Sequence, residues 1–241
     1  MDKIIPNWPA PDNIKAFAST RIGGVSPPPY HGLNLGTHVG DDPKLVLRNR
    51  EWLQMMSHMP SSPIWLNQTH STNVVEVEQP TKVILDADGL FTASPRVVCS
   101  VMTADCLPVL ITNTQGTQVA AVHAGWRGLA GGIVENAMQK LTGHPLVWLG
   151  PAIGTQAFEV GDEVREAFCD HDGDAALAFL PTSRQGKWLA DMVKLARLRL
   201  AKLGIDQVYS CDLCTYQHPQ QFYSYRRDGI TGRQASFIWI E

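Results

Sequence analysis

The segment from Thr103 to Gly128, TADCLPVLITNTQGTQVAAVHAGWRG, most constrains what this chain can fold into. Two apolar, β-prone runs, Leu107 to Thr112 and Thr117 to Val122, flank Asn113-Thr114-Gln115-Gly116, which has turn composition. The pattern predicts a buried hairpin that passes through a glycine-rich corner into a helix. Closing it with Asn113 opposite Gly116 makes partner numbers sum to 229 and sets Cys106 opposite His123. Directly opposed side chains have Cβ atoms ~4.5–5.5 Å apart, a spacing that suits two ligands of one metal or a thiol and its base. Pro108 works against this register, because proline is confined to edge strands, strand starts and bulges. An ordinary buried hairpin with an inert cysteine fits the same pattern.

The rest of the chain reads as short strands and a few helices. A strand over 13–19 leads into Thr20-Arg21-Ile22-Gly23-Gly24-Val25-Ser26, where paired glycines allow close backbone approach. The Pro- and Gly-rich stretch 27–40 reads as an irregular loop able to act as a lid. Asp41-Asp42-Pro43 starts a helix that turns Val46, Leu53 and Met56 inward. Strands follow at 64–66 and 74–78, delivering Gln68 and His70 between them, then a turn at 86–89 and a strand at 97–102. Leu129, Ile133, Ala137 and Leu141 have the i, i+4 spacing of one helix packed on the sheet. A strand at 146–149, a short helix at 163–168 and a helix through Leu189, Val193, Ala196 and Leu200 come next. Strands at 208–210, 222–226 and 236–240 end the chain. Strands that neighbour one another in sequence without regular βα alternation predict an α+β fold, with mixed sheets and helices outside. No linker or repeat interrupts residues 1–241, which are expected to form a single domain.

With a net charge of −3 and no basic run, nucleic acid and anionic membrane are poor partners. The N-terminus lacks the apolar core of a secretory signal and no window reaches ~18 apolar residues, so a cytoplasmic location is expected. Five sparse cysteines, at 99, 106, 169, 211 and 214, do not make a disulfide framework. Cys211 and Cys214 have CxxC spacing with no second pair to complete a zinc knuckle, and Cys214 is the better candidate to line a site.

His70, Cys106 and His123 together would offer two nitrogens and a sulfur, a donor set that tetrahedral zinc accepts with an open fourth position. Zinc lowers the pKa of bound water to about 7, the chemistry nucleobase deaminases use on an amidine carbon. Asp105 is the neighbouring acid, although strand alternation points it to the other face. Arg127, at the corner where His123-Ala124-Gly125-Trp126 enters a helix, and Arg21 and Arg226 with their neighbouring turns are phosphate candidates. The competing chemistry is a metal-free thiolate–imidazolium pair of Cys106 and His123, with Asp105 or Asp88 orienting the base. Spacing alone does not separate the two.

The strings Thr20–Ser26, Leu33-Asn34-Leu35-Gly36, Val39-Gly40-Asp41-Asp42-Pro43, Gln68-Thr69-His70, Thr103–Val109, His123–Gly128, Gly150–Gly154 and Tyr225-Arg226-Arg227-Asp228 resemble, in the same order, those of the YfiH family. These are bacterial laccase-domain proteins with the animal relative FAMIN. The resemblance implies stacked mixed sheets flanked by helices, a fold grouped with cysteine hydrolases. It also implies zinc on His70, Cys106 and His123, phosphorolysis of adenosine, inosine, guanosine and methylthioadenosine, and deamination of adenosine. Purine nucleoside and inorganic phosphate are then the partners, with Arg21, Asn34, Arg127, Cys214 and Arg226 as candidate contacts. The family's laccase label also raises copper. Eight histidines without one His-x-His pair, however, do not suit a multicopper cluster. A metal-free cysteine hydrolase and a non-catalytic nucleoside- or metal-binding protein are the alternatives.

Overall fold

The computed structural model describes residues 2–241. The hairpin forms as strands Leu107–Asn113 and Val119–Ala124, every residue of which is buried. Strands covered on both faces carry unbroken apolar runs rather than alternation, which is why LPVLIT and VAAV sit at the centre. Across the six-stranded sheet the order is Val208–Ser210, Pro145–Leu149, Leu107–Asn113, Val119–Ala124, Gly89–Thr92 and Val74–Glu76. Its two outermost pairings are parallel and the inner ones antiparallel. A second, antiparallel sheet runs Lys3–Ile4, Ile14–Ser19, Gln234–Ile240, Cys99–Thr103.

Successive side chains on a strand face opposite ways, and this sorts the layers. Leu90, Leu110, Val119, Ala121 and Trp148 meet Ile14, Val101, Ile238 and Ile240 between the two sheets. Val109, Ile111, Ala120 and Val122 face the other way, onto Leu129, Ile133, Val134, Leu195 and Leu200 of a helical layer. Beyond the four-stranded sheet, Phe17, Phe237 and Trp239 are covered by Leu53 of helix Pro43–Met56 and by Leu33 and Leu35. Helix, sheet, sheet and helices thus stack in four layers, the α+β arrangement expected.

Several local expectations are corrected. Gly116 N–H does bond Asn113 O at 3.0 Å. However, the Asn113 side chain also accepts the Thr117 N–H and donates to Thr117 Oγ1, adding two residues to the loop. The ladder therefore resumes at Thr112↔Val119, partner numbers sum to 231, and Pro108 rather than Cys106 opposes His123. The Pro108 carbonyl accepts Gly150 N–H. Its missing N–H faces the same way, so Gly150 gets one bond instead of two and the ladder with Pro145–Leu149 stops at Leu149↔Val109.

The helix expected from Leu129 through Leu141 is two helices, Trp126–Gly131 and Ile133–Met138, broken by Gly132 at φ 99°. Leu189 lies in strand Lys187–Ala190, and the helix after it, Met192–Lys202, starts at Asp191, whose carboxylate caps Lys194 N–H. Residues 222–226 are not a strand, because Ser224 Oγ caps Arg227 N–H and turns the chain into helix Tyr225–Asp228. The loop 27–40 is no lid, since Leu33, Asn34 and Leu35 within it are fully buried. In helix Pro43–Met56, capped by Asp42, Met56 is exposed. Asn49 takes the inward place, donating to Ser26 Oγ and Asn34 O.

Candidate metal centre

Three separate parts of the chain converge where the two sheets part. His123 is the fifth residue of Val119–Ala124, on the inter-sheet face, and is 4 % exposed. Cys106 ends the turn before Leu107–Asn113, and His70 stands on the loop after Leu66–Asn67. His70 Nε2 lies 3.7 Å from Cys106 Sγ. The two imidazole centroids are 4.9 Å apart at 73°. One ligand atom from each of the three residues falls within 4.8 Å of the others. Zinc held tetrahedrally by two nitrogens and a sulfur would separate its donors by about 3.3–3.6 Å, so small side-chain adjustments close the set on one ion.

Asp88, fully buried, organises both histidines. Its Oδ1 accepts His123 Nδ1–H at 2.8 Å and His70 N–H at 3.0 Å. Its Oδ2 accepts the N–H groups of Thr69 and Ser71 and the Ser71 hydroxyl. One carboxylate therefore fixes the His123 tautomer, leaving Nε2 for a ligand, and also cradles the backbone that presents His70. Gln68 anchors that loop from the other end by exchanging two hydrogen bonds with the Met102 backbone, at 2.8 and 2.7 Å. His70 itself has φ 61°, an uncommon conformation for a non-glycine residue. Gly125 closes the floor. A Cβ there would sit 2.5 Å from His70 Cδ2 and 3.3 Å from Cys106 Sγ.

Burial alone would raise the Cys106 thiol, but His123 and then His70 outweigh it and hold it at about 6. Burial likewise lowers His123, yet the Cys106 thiolate and Asp88 carry it up to about 9. Asp88 is raised by burial but held well below the usual carboxylate range by His123 and Ser71. The sulfur is thus held as the thiolate a metal requires. His123, an imidazolium below about 9, would give up its Nε2 proton when a metal binds, with Asp88 keeping the proton on Nδ1.

A chemical consequence follows for the metal-free protein. Because the thiolate is the nucleophile, Cys106 is expected to react with iodoacetamide with an inflection near pH 6. Cys99, which burial pushes to about 12, stays unreacted. Adding metal suppresses the reaction. An inflection near the ordinary thiol value would mean the His–Cys coupling is absent.

The cluster opens into a cavity of about 290 Å³, whose wall includes His38, Gln68, Met102, Tyr225 and Arg233. Tyr225 is 62 % exposed, an aromatic face at the rim. The other residues singled out from sequence are placed as follows. Asp105, at φ 103°, turns its carboxylate to Thr215 Oγ1 and the Arg226 backbone N–H. The Arg226 guanidinium donates to Ala157 O and Glu159 O. Arg127 is exposed and lies over the Trp126 ring. Arg21 donates to His31 O and Pro219 O in a separate, larger pocket of about 740 Å³. Cys214 lines a third pocket and accepts Gly154 N–H on its sulfur. Asn34 is buried, donating to Asp41 Oδ2 and Gly36 O. Of the two acids left open as partner of the base, Asp88 is the one that touches His123. The sequence reading passed over Gly125, Tyr225, His38 and Arg233. Gly125, inside HAGWRG, and Tyr225, at the head of Tyr225-Arg226-Arg227-Asp228, stood in strings that could have flagged them.

A four-layer α+β fold with one imidazole–thiol–imidazole cluster at the mouth between its sheets defines a protein built around a candidate transition-metal site. The chain belongs to the family described as multi-copper polyphenol oxidoreductase laccase, whose model matches residues 15–241. It is 51% identical over 240 residues to a Shigella flexneri protein named purine nucleoside phosphorylase YfiH, covering 98% of each chain. It is 50% identical over 240 residues to the Escherichia coli (strain K12) protein of the same name, again covering 98% of each. The crystal structure of a Neisseria meningitidis protein superposes with a TM-score of 0.95 at 48% identity, over 100% of both chains. These relatives' names support an enzyme, and the resemblance to YfiH proteins read from the sequence strings holds.

Proposed function

We propose that this chain is a zinc-dependent purine nucleoside phosphorylase that also deaminates adenosine. The observation carrying the reading is the convergence of His70, Cys106 and His123 within 4.8 Å at the floor of one cavity, in a chain whose relatives are named purine nucleoside phosphorylases. Two nitrogens and one thiolate suit zinc with a position left open. When bound there, zinc would supply a permanent Lewis-acidic charge. Copper also accepts such donors, but a multicopper cluster needs further ligands. Among the described residues this is the one such group, which is why we set the laccase reaction aside.

The chain's own residues do the rest. In phosphorolysis, an oxygen of inorganic phosphate bonds to the anomeric carbon of the ribose. The bond from that carbon to the purine breaks, its electron pair leaves with the base, and the base takes the proton that the attacking phosphate gives up. Asp88 fixes His123, Gln68 and Asp88 hold the His70 loop, and Tyr225 offers its ring to the purine at the rim. Asp105, with both oxygens committed to Thr215 and Arg226, positions the Tyr225–Asp228 helix. Adenosine, inosine, guanosine and methylthioadenosine are the substrates we propose.

The test follows base release from adenosine with and without phosphate in the wild type, His70→Ala and Cys106→Ala, with inosine formation measured in parallel. We expect phosphate-dependent adenine release and inosine formation in the wild type, and loss of both by ~100-fold or more in each variant, in line with removal of a metal ligand or its support. Full activity in either variant would remove metal-centred catalysis.

One observation favours a second reading. Asp88, His123 and Cys106 form a line of acid, imidazole and thiol, the arrangement of a metal-free cysteine hydrolase acting on an amide. That reading makes His70 dispensable, and chelators would leave it active. A non-catalytic nucleoside or metal binder would bind adenosine without turnover.

A further inference from the structure

Arg233 was no part of the sequence reading, yet it is the cavity's charged wall. It stands beside His38 in the lining, facing the same space as His70, Cys106 and His123. Among the described residues it pairs with no carboxylate. Its Nη1 donates to Thr231 O and Gly232 O, while Nε and Nη2 have no protein partner. A half-buried guanidinium with open donors and no direct ion-pair partner is costly to keep, unless its partner arrives from outside. Burial lowers its pKa, and the opposite charges that reach it are the Cys106 thiolate first and Asp105 second. A bound metal would claim the thiolate, and both oxygens of Asp105 are held by Thr215 and Arg226.

The placement of Arg233 is built, not incidental. Its backbone N–H donates to Asn34 Oδ1, and its carbonyl accepts Leu35 N–H. Its stem crosses Gly36, where an added Cβ would lie 2.8 Å from Arg233 Cγ. The Leu33-Asn34-Leu35-Gly36 string, read from sequence as part of a lid, is therefore the bracket that aims Arg233. Asn34 in turn is locked by Asp41. The other arginine candidates lie outside this cavity's lining, with Arg21 in a separate pocket and Arg127 exposed over Trp126. His38 is held toward its neutral form by burial, and then by Arg233 and Arg50. In that form it is a hydrogen-bonding neighbour rather than a second charge.

We infer that Arg233, with His38 beside it, forms an oxyanion subsite in this cavity that takes inorganic phosphate. The planar fork of an arginine matches two phosphate oxygens at once, and it lines the same cavity as the metal-ligand cluster. The assignment rests on the phosphorylase reading for its identity as co-substrate, but the binding itself does not.

The experiment uses metal-loaded wild type, Arg233→Gln and Arg233→Lys, with metal content and thermal unfolding checked for each. Two readouts are taken: binding of inorganic phosphate alone by calorimetric titration, and KM for phosphate and for adenosine in the phosphorolysis assay. In Arg233→Gln we expect phosphate affinity to fall and KM for phosphate to rise about 10- to 100-fold, the worth of losing a charge-assisted hydrogen bond or two. KM for adenosine and metal content stay within twofold. Arg233→Lys recovers part of the loss, because the charge returns without the fork. Unchanged phosphate binding in Arg233→Gln overturns the proposal, as does an equal rise in KM for adenosine. Tighter binding of AMP than of adenosine, abolished in Arg233→Gln while inorganic phosphate binds equally to both proteins, also overturns it by assigning the subsite to a substrate phosphate. If the phosphorylase reading fails and no base is released, the titration with phosphate still decides the subsite.

Discussion

Replacing Asp88 by Asn is expected to cut metal affinity about 10- to 100-fold, the usual effect of removing the group that orients a ligating histidine. It should also lower Tm by about 6–12 °C. The substitution is nearly isosteric, so its effect is electrostatic. Asp88 accepts five hydrogen bonds: from the N–H groups of Thr69, His70 and Ser71, the Ser71 hydroxyl and His123 Nδ1–H. An Asn keeps one acceptor oxygen and turns an NH2 toward donors. At least one buried N–H is then left without a partner, at about 1–3 kcal/mol each. His123 loses the anion that sets its tautomer, so Nε2 no longer faces the cavity reliably. The pH dependence carries the same sign. A carboxyl depressed by folding contributes stability above its ordinary value of about 3.9, and the contribution drains away as pH falls below it. Asp88→Asn should therefore flatten the acid limb of the stability curve in the metal-free protein. Metal titration and thermal unfolding across pH 3 to 7 check both outcomes. Wild-type metal affinity in Asp88→Asn would show that Asp88 does not organise the site.

Gly125→Ala is expected to separate the site from the fold. Gly125 has φ −62°, which any residue adopts, so the backbone does not object to alanine. Its single new carbon would stand 2.5 Å from His70 Cδ2, 3.2 Å from His70 Nε2 and 3.3 Å from Cys106 Sγ. His70 is exposed and can swing outward, so the collision is relieved by losing a ligand rather than by unfolding. The loss of a glycine at a helix N-cap costs about 0.5–1 kcal/mol. Bound metal should fall below about a tenth of wild type, in line with loss of a metal ligand, while Tm drops by only a few degrees. Metal content and unfolding of the same preparation give the result. A variant that keeps full metal with an unshifted spectrum would mean His70 lies outside the coordination sphere.

How much of this was legible in the chain depends on the range of the signal. The buried hairpin, the Asp42 cap and the opening of helix Pro43–Met56 follow from local residue chemistry, and they appear as read. The hairpin register did not follow, because the Asn113 side chain takes over the turn and adds Thr117 and Gln118 to it. Even so, Cys106 and His123 meet, since the turn that holds Asp105 at φ 103° delivers the sulfur just ahead of the strand. The choice between Asp88 and Asp105 was not legible either. Both flank the site in sequence, and only the fold shows one carboxylate on His123 and the other on Thr215. Gly132 looks like a tolerable residue inside an apolar helical pattern, yet its φ of 99° breaks the helix in two. Arg233 was invisible for a deeper reason. Its position is set by Asn34 and Gly36, about two hundred residues earlier, and no periodicity or spacing carries such a relation. Strands of two residues, such as Leu66–Asn67 and Leu85–Asp86, leave no pattern to read.

X-ray absorption at the metal edge of the purified, metal-loaded protein measures the donor set itself. One sulfur at about 2.3 Å and two imidazole nitrogens at about 2.0–2.1 Å are expected, with the sulfur shell gone in Cys106→Ala. A first shell of nitrogen and oxygen alone in the wild type, or a sulfur shell that survives Cys106→Ala, would place the ion elsewhere and contradict the account.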